Sequence, residues 1–283
     1  MPIAAQQRGM TLENSLTLIM WNDVLKNLFC SLCGDCIFFR VFQLNLEDTF
    51  ARCEKYSGKR DISRLFIRIF ARRKIIIMAL QLKKLYNTFV LSVLAGMMIG
   101  FGGTIYLMCS NKIVGATLFS FGLLTIVCQG FALYTGRVGY FRQYGVASLA
   151  TTILGNLVGT TLVAKAFLLT RHSVDVASVV APKLADSSWS IFLLSVGCGV
   201  MMYLAVDSYR KSRSWLFVIL PIVIFILCGF EHSIANMFYL SLAEAWGWDA
   251  VRITLIAIVG NGVGSWIINS ANFLLKEQGD EQQ

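Results

Sequence analysis

Six apolar stretches, each close to the ~20 residues a helix needs to cross a bilayer, dominate this chain at residues 89–108, 113–134, 146–169, 189–206, 215–242 and 253–275. Hydrocarbon offers no hydrogen bonds to the backbone, so runs of this length select helices that satisfy their own N–H and C=O groups. Composition agrees: 56% of the residues are hydrophobic and only 14% charged, too apolar for a water-soluble globule. The expected fold is an all-α polytopic membrane protein of six transmembrane helices.

A formal net charge of +9 could suggest a nucleic-acid partner, but the basic residues lie in the first segment and in short connections between apolar runs. There they act as topology signals, and no nucleic acid is expected. An N-terminus inside places Lys83, Lys84, Arg137, Arg142, Arg210, Lys211, Arg213 and Lys276 in the cytoplasm, against Lys112, Arg171, Lys183 and Arg252 on the other face. The positive-inside bias therefore puts both termini in the cytoplasm, with a bacterial inner membrane as the expected location. The eight cysteines have no regular extracellular spacing, which favours free thiols over a disulfide framework.

Residues 1–77 differ from the rest. They mix scattered charges with Cys30, Cys33, Cys36 and Cys53, and with a short apolar run, 37–42, that Arg40 interrupts. The C-x-x-C-x-x-C spacing resembles part of an iron–sulfur ligand run, but the fourth cysteine is missing at the expected distance. No signal-peptide pattern can be drawn. The segment reads as an atypical extension, either disordered or not part of the native protein; in the second case translation starts at Met78. N-terminal sequencing that begins before Met78 refutes that second reading. The transport domain is expected over 78–283.

Within residues 221–240, P-I-V-I-F-I-L-C-G-F-E-H-S-I-A-N-M-F-Y-L, an acid and a base, Glu231 and His232, sit inside an otherwise apolar run. Ionisable groups at membrane depth are costly and line interior pathways. The chain also echoes itself. Gly130-Phe131-Ala132-Leu133 matches Gly229-Phe230-Glu231-His232, and I-L-G-N-L-V-G from Ile153 matches I-V-G-N-G-V-G from Ile258. Spans two and three thus correspond to spans five and six. Repeats of three spans must cross in opposite senses, an inverted 3+3 arrangement whose site lies where paired broken helices meet. Thr135-Gly136 after the second span and Gly229 before Glu231 mark the breaks, and Thr135 and His232 are expected to face one pore. Freed N–H groups and half-helix N-termini there suit an anion.

G-F-E-H-S-I-A-N-M (from Gly229), G-A-T-L-F-S-F-G-L-L (from Gly115), L-Y-T-G (from Leu133) and the two G-N-x-x-G motifs together resemble the formate/nitrite transporter family, which includes formate, nitrite and hydrosulfide channels. The resemblance implies an aquaporin-like protomer with broken second and fifth helices, one pore each, in a homopentamer, with a small anion as substrate and no cofactor or metal. It makes His232 the central pore histidine and Thr135 the hydroxyl facing it. Lys183 becomes the partner of Glu231, and Asn236 of the same motif joins the substrate path. Phe119 and Phe225 match one constriction; Leu123, Leu133 and Met202 fall where the other is expected. Tyr134 stands where phenylalanine is common and adds a hydroxyl to that gate. Gly199 replaces an asparagine of many members, which bears on pore polarity. Asn156 and Asn261 are expected to support the broken spans structurally, and Gly199 is placed with them as structural support of the pore.

The resulting mechanism draws a small monovalent anion into an electropositive vestibule and passes it through Phe119/Phe225 largely neutral, with a proton from water or His232. Two other classes stand beside it. An aquaporin-like neutral-solute channel would share the pore, but the paired N-P-A breaks are absent. An intramembrane enzyme would need further nucleophiles or metal ligands, and His232 is the only histidine inside a span. No G-x-x-x-x-G-K-[ST] motif supports ATP-driven pumping.

Overall fold

The structure is a computed structural model that describes residues 59–280, with side-chain surroundings for 73–274; the cysteines at 30, 33, 36 and 53 and the run at 37–42 lie outside the described residues. Contacts divide the chain into Met1–Ile77 and Met78–Gln283.

Among the described residues, all regular structure is helical. In chain order come α1 (Lys59–Met108), α2 (Lys112–Gln129), α3 (Tyr134–Arg137), a 3-10 turn (Val138–Tyr140), α4 (Phe141–Tyr144), α5 (Val146–Leu168), α6 (Ala177–Ala185), α7 (Ser188–Ser212), α8 (Leu216–Leu227), α9 (Ser233–Leu242) and α10 (Trp248–Asp280). Five are long and apolar enough to cross a membrane, among the described residues: the Arg73–Met108 part of α1, then α2, α5, α7 and the Trp248–Leu274 part of α10. The apolar run at 215–242 instead forms two shorter helices, α8 of 12 residues and α9 of 10. Neither reaches the ~20 residues of a complete span.

Both interruptions begin at a glycine in the left-handed region, Gly130 at φ 70° and Gly229 at φ 67°. A side chain strains that conformation, and glycine enters it freely. The first break therefore falls at Gly130–Leu133, ahead of the Thr135-Gly136 pair that the sequence marks. Gly136 lies within α3, where an added Cβ would meet Val206 at 3.3 Å. Hydropathy carries the second span on to Tyr134 because Phe131, Ala132 and Leu133 are apolar, although they are not helical.

Helices α7 and α10 pack together along their lengths, α9 packs on α5, and α8 lies between α7 and α2. Close approach depends on small residues: a Cβ on Gly96 would lie 2.3 Å from the Asn156 carbonyl oxygen, and one on Gly199 would lie 2.3 Å from that of Asn261. All ten residues of α9 are buried, so this half-helix forms part of the core. Outward positions such as Leu154, Leu162, Leu255, Val259 and Phe273 are exposed and apolar, as a lipid-facing surface requires.

The connection expected as a loop around Lys183 contains α6. Asp175 accepts the Ser178 amide at 3.1 Å, and Val180 plants the helix in the core. The proline inside it obscures the helical pattern in the sequence.

Candidate functional site

Each break is held by one buried asparagine, through the same three kinds of bond. Asn156 Oδ1 accepts the Tyr134 amide at 3.0 Å, and its Nδ2 donates to the carbonyls of Ser92 at 2.8 Å and Ala132 at 2.9 Å. Asn261 Oδ1 accepts the Ser233 amide at 2.9 Å, and its Nδ2 donates to Ser195 at 2.9 Å and Glu231 at 2.8 Å. A backbone bond accompanies each clamp: Ala132 N–H donates to Leu91 O and Glu231 N–H to Leu194 O, both at 3.2 Å. Backbone groups freed by a break inside a membrane must find partners. One carboxamide per break supplies an acceptor and two donors.

The breaks bring two polar side chains together. His232 is the N-cap of α9, and its Nδ1 accepts the Ala235 amide at 3.1 Å. With Nδ1 committed as an acceptor, the neutral ring carries its proton on Nε2 and donates it to Thr135 Oγ1 at 3.0 Å. The Thr135 hydroxyl hydrogen is then free to point at a third group. Both residues are buried. The preceding Glu231 is also buried; one carboxylate oxygen accepts from Lys183 Nζ at 2.6 Å and the other from Asn236 Nδ2 at 2.7 Å. A buried carboxylate is tolerated when such partners satisfy it.

A cavity of about 380 Å³ opens above this group, lined among others by Lys183, Glu231, His232 and Asn236, with Phe119 and Phe225 in its wall. The two phenyl rings meet edge-on with centroids 6.2 Å apart, and Phe225 lies 5.7 Å from the imidazole. Lys112, Tyr106 and Tyr239 line it too, and sequence reasoning did not assign them to the site. The available signal was Asn111, whose Oδ1 accepts the Ile113 and Val114 amides and so starts α2 with Lys112 at its mouth. Leu123, Leu133 and Met202 are buried in the core and do not border this cavity.

One reading changes. The Tyr134 hydroxyl donates to the Ile258 carbonyl at 2.9 Å, so it braces α3 against α10 instead of standing free in a gate. Gly199 faces the Asn261 backbone at a distance that excludes any side chain, so it sets helix approach and leaves no room for an asparagine.

Among known proteins, the pattern that defines the formate/nitrite transporter family matches residues 74–274. The chain belongs to the formate/nitrite transporter family. It is 29% identical to the uncharacterized transporter YrhG of Bacillus subtilis over 54% of this chain and 67% of that one. It is 28% identical to the nitrite transporter NirC of Escherichia coli over 62% of this chain and 81% of that one. A solved pentameric formate channel with formate bound shares the fold at a TM-score of 0.60 and 22% identity, covering 69% of this chain and 98% of that chain. This member of the family is an integral membrane protein, and its relatives are named as transporters and channels.

Proposed function

We propose that this chain is a channel or transporter for a small monovalent weak-acid anion, formate, nitrite or hydrosulfide, with a proton supplied at or near His232. The observation that carries the reading is the meeting of Thr135 and His232, one from each helix break, beside a cavity that also presents Lys183. The names of NirC and of the formate-bound channel support the substrate class. The matched asparagine clamps support an inverted 3+3 repeat of six spans, the fifth being α8 and α9 together. A homopentamer in a bacterial inner membrane with both termini cytoplasmic completes the proposal.

Energies explain why a proton is needed. Stripping an anion of water to pass the Phe119/Phe225 pair costs, in the idealised limit, on the order of 20 kcal/mol. Protonating a carboxylate of pKa ~4 at neutral pH costs about 4 kcal/mol, at roughly 1.36 kcal/mol per unit. The neutral route is cheaper. In this mechanism Lys183 and its surroundings concentrate the anion, and the Thr135 hydroxyl, relieved of donating to the ring, donates to it. The acid form then crosses the phenyl pair, while Glu231, fixed by Lys183 and Asn236, holds the backbone that presents His232.

Light-scattering flux into proteoliposomes tests this, comparing formate, nitrite and hydrosulfide for wild type and His232→Ala. One anion should pass quickly, with a rate or pH dependence that the substitution alters. Flux that falls as external pH is lowered, at constant anion and with intact protein, ends the proton-coupled account. Folded protein that passes none of the anions while water or glycerol moves freely makes the neutral-solute channel the better reading.

A further inference from the structure

We propose that Arg252 is a positioning residue for Lys183, and through it for the Glu231–His232 break. The inference rests on the function proposed above only for its consequence in transport. Helix α6 cannot place Lys183 unaided. It has nine residues, too few to be stable alone, and Pro182 removes a backbone donor immediately before Lys183. Its C-terminal carbonyls need partners from elsewhere.

Arg252, in the first turns of α10, supplies them. Nη2 donates to the carbonyls of Leu184 and Asp186, each at 3.3 Å, and Nη1 donates to Ser188 Oγ at 3.0 Å. Nε donates to Asp249 Oδ1 at 3.2 Å, which fixes the plane of the guanidinium. A cation on the last carbonyls of a helix also complements its dipole. The planar fork therefore ties the end of α6 and the start of α7 to α10, which already packs along α7. Lys183 sits one residue before Leu184. Its side chain is 17% exposed and reaches Glu231 at 2.6 Å. The lysine that faces the cavity is thus referenced to the rigid α7–α10 pair through a residue that touches neither cavity nor histidine. Only a guanidinium provides this pattern; the lysine ammonium has no fork to bridge two carbonyls and a hydroxyl.

The test has two readouts on the full-length protein. In the first, acylation of lysines by an amine-reactive ester is followed by mass spectrometry, with exposed Lys112 in the same cavity as internal reference. Arg252→Gln should raise Lys183 labelling relative to Lys112 by at least about threefold. Ser188→Ala, a milder surface change that removes one of the bonds, should raise it less, and Arg252→Lys should fall between wild type and Arg252→Gln. Unchanged Lys183 labelling in both Arg252→Gln and Ser188→Ala overturns the inference, whether or not any anion moves. In the second, the pH profile of formate or nitrite flux is compared for Arg252→Gln, Lys183→Gln and the double variant. The single variants should shift the profile in the same direction and the double should match Lys183→Gln. Full additivity overturns the inference. Wild-type protein that passes no anion counts against the transport reading alone, because the labelling still decides the placement of Lys183.

Discussion

The two helix breaks share a skeleton and differ in what they carry. Gly130 and Gly229 start them, Asn156 and Asn261 clamp them, and Gly96 and Gly199 let the clamping helices close. Yet the position of Ala132 on the first is taken by Glu231 on the second, and that of Leu133 by His232. The comparison teaches that support and chemistry are separable here: the same set of bonds holds one break that carries an acid and a base and another that carries apolar residues. An acid needs its own partners. Lys183 and Asn236 satisfy Glu231 on the second break, and buried Ala132 on the first needs none.

The clamps offer the strongest way to break the comparison. Asn156→Ala and Asn261→Ala each remove three buried bonds, at about 1–3 kcal/mol for each group left unpaired, and should sharply reduce folded protein in detergent melting curves. A melting temperature within about 2 °C of wild type sinks the clamp role of that residue. Only the Asn261 change should also alter the pH dependence of flux, since only that carboxamide holds Glu231. Gly96→Ala and Gly199→Ala come next. Each forces a methyl into a backbone carbonyl and should cost about 1–3 kcal/mol, similar in the two halves; a large cost in one and none in the other denies the shared skeleton.

Smaller effects sharpen the contrast. Thr135→Val removes the hydroxyl that donates to the anion and should slow anion flux about fivefold, the equivalent of about 1 kcal/mol, with a melting shift no larger than that of Tyr134→Phe. Unaltered flux removes the hydroxyl from the pathway. Tyr134→Phe deletes the bond to Ile258 and should lower stability by about 1 kcal/mol while flux stays as it was. A change in flux would return that hydroxyl to the gate.

Much of the fold was legible because hydropathy reports helices long enough to span a membrane, and because a glycine beside a repeated motif marks where a helix can turn out of register. The limits were equally physical. Hydropathy could not see that Phe131 to Leu133 lie outside any helix, since an apolar side chain looks the same in a helix and out of one. It also missed α6, whose nine residues include a proline. Distant partners leave no local pattern. Tyr134 meets Ile258, and Arg252, which reads as one more topology charge, grips carbonyls at Leu184 and Asp186. Lys183 entered the site through family resemblance, since nothing in its spacing points to Glu231.

The bond from the Ala235 amide to His232 Nδ1 has a consequence for the membrane's energy store. A histidine serves as a link in a proton wire when one ring nitrogen can take up a proton while the other releases one. Here the inner nitrogen is plugged by a backbone hydrogen that cannot leave, so the ring has a single working terminal at Nε2. Such a residue can offer a hydrogen bond from Nε2, with water supplying any proton a passenger takes up, but it cannot conduct protons through itself. If the chain passes weak acids as proposed, this ring adds no path of its own for protons to run down the voltage across the bilayer.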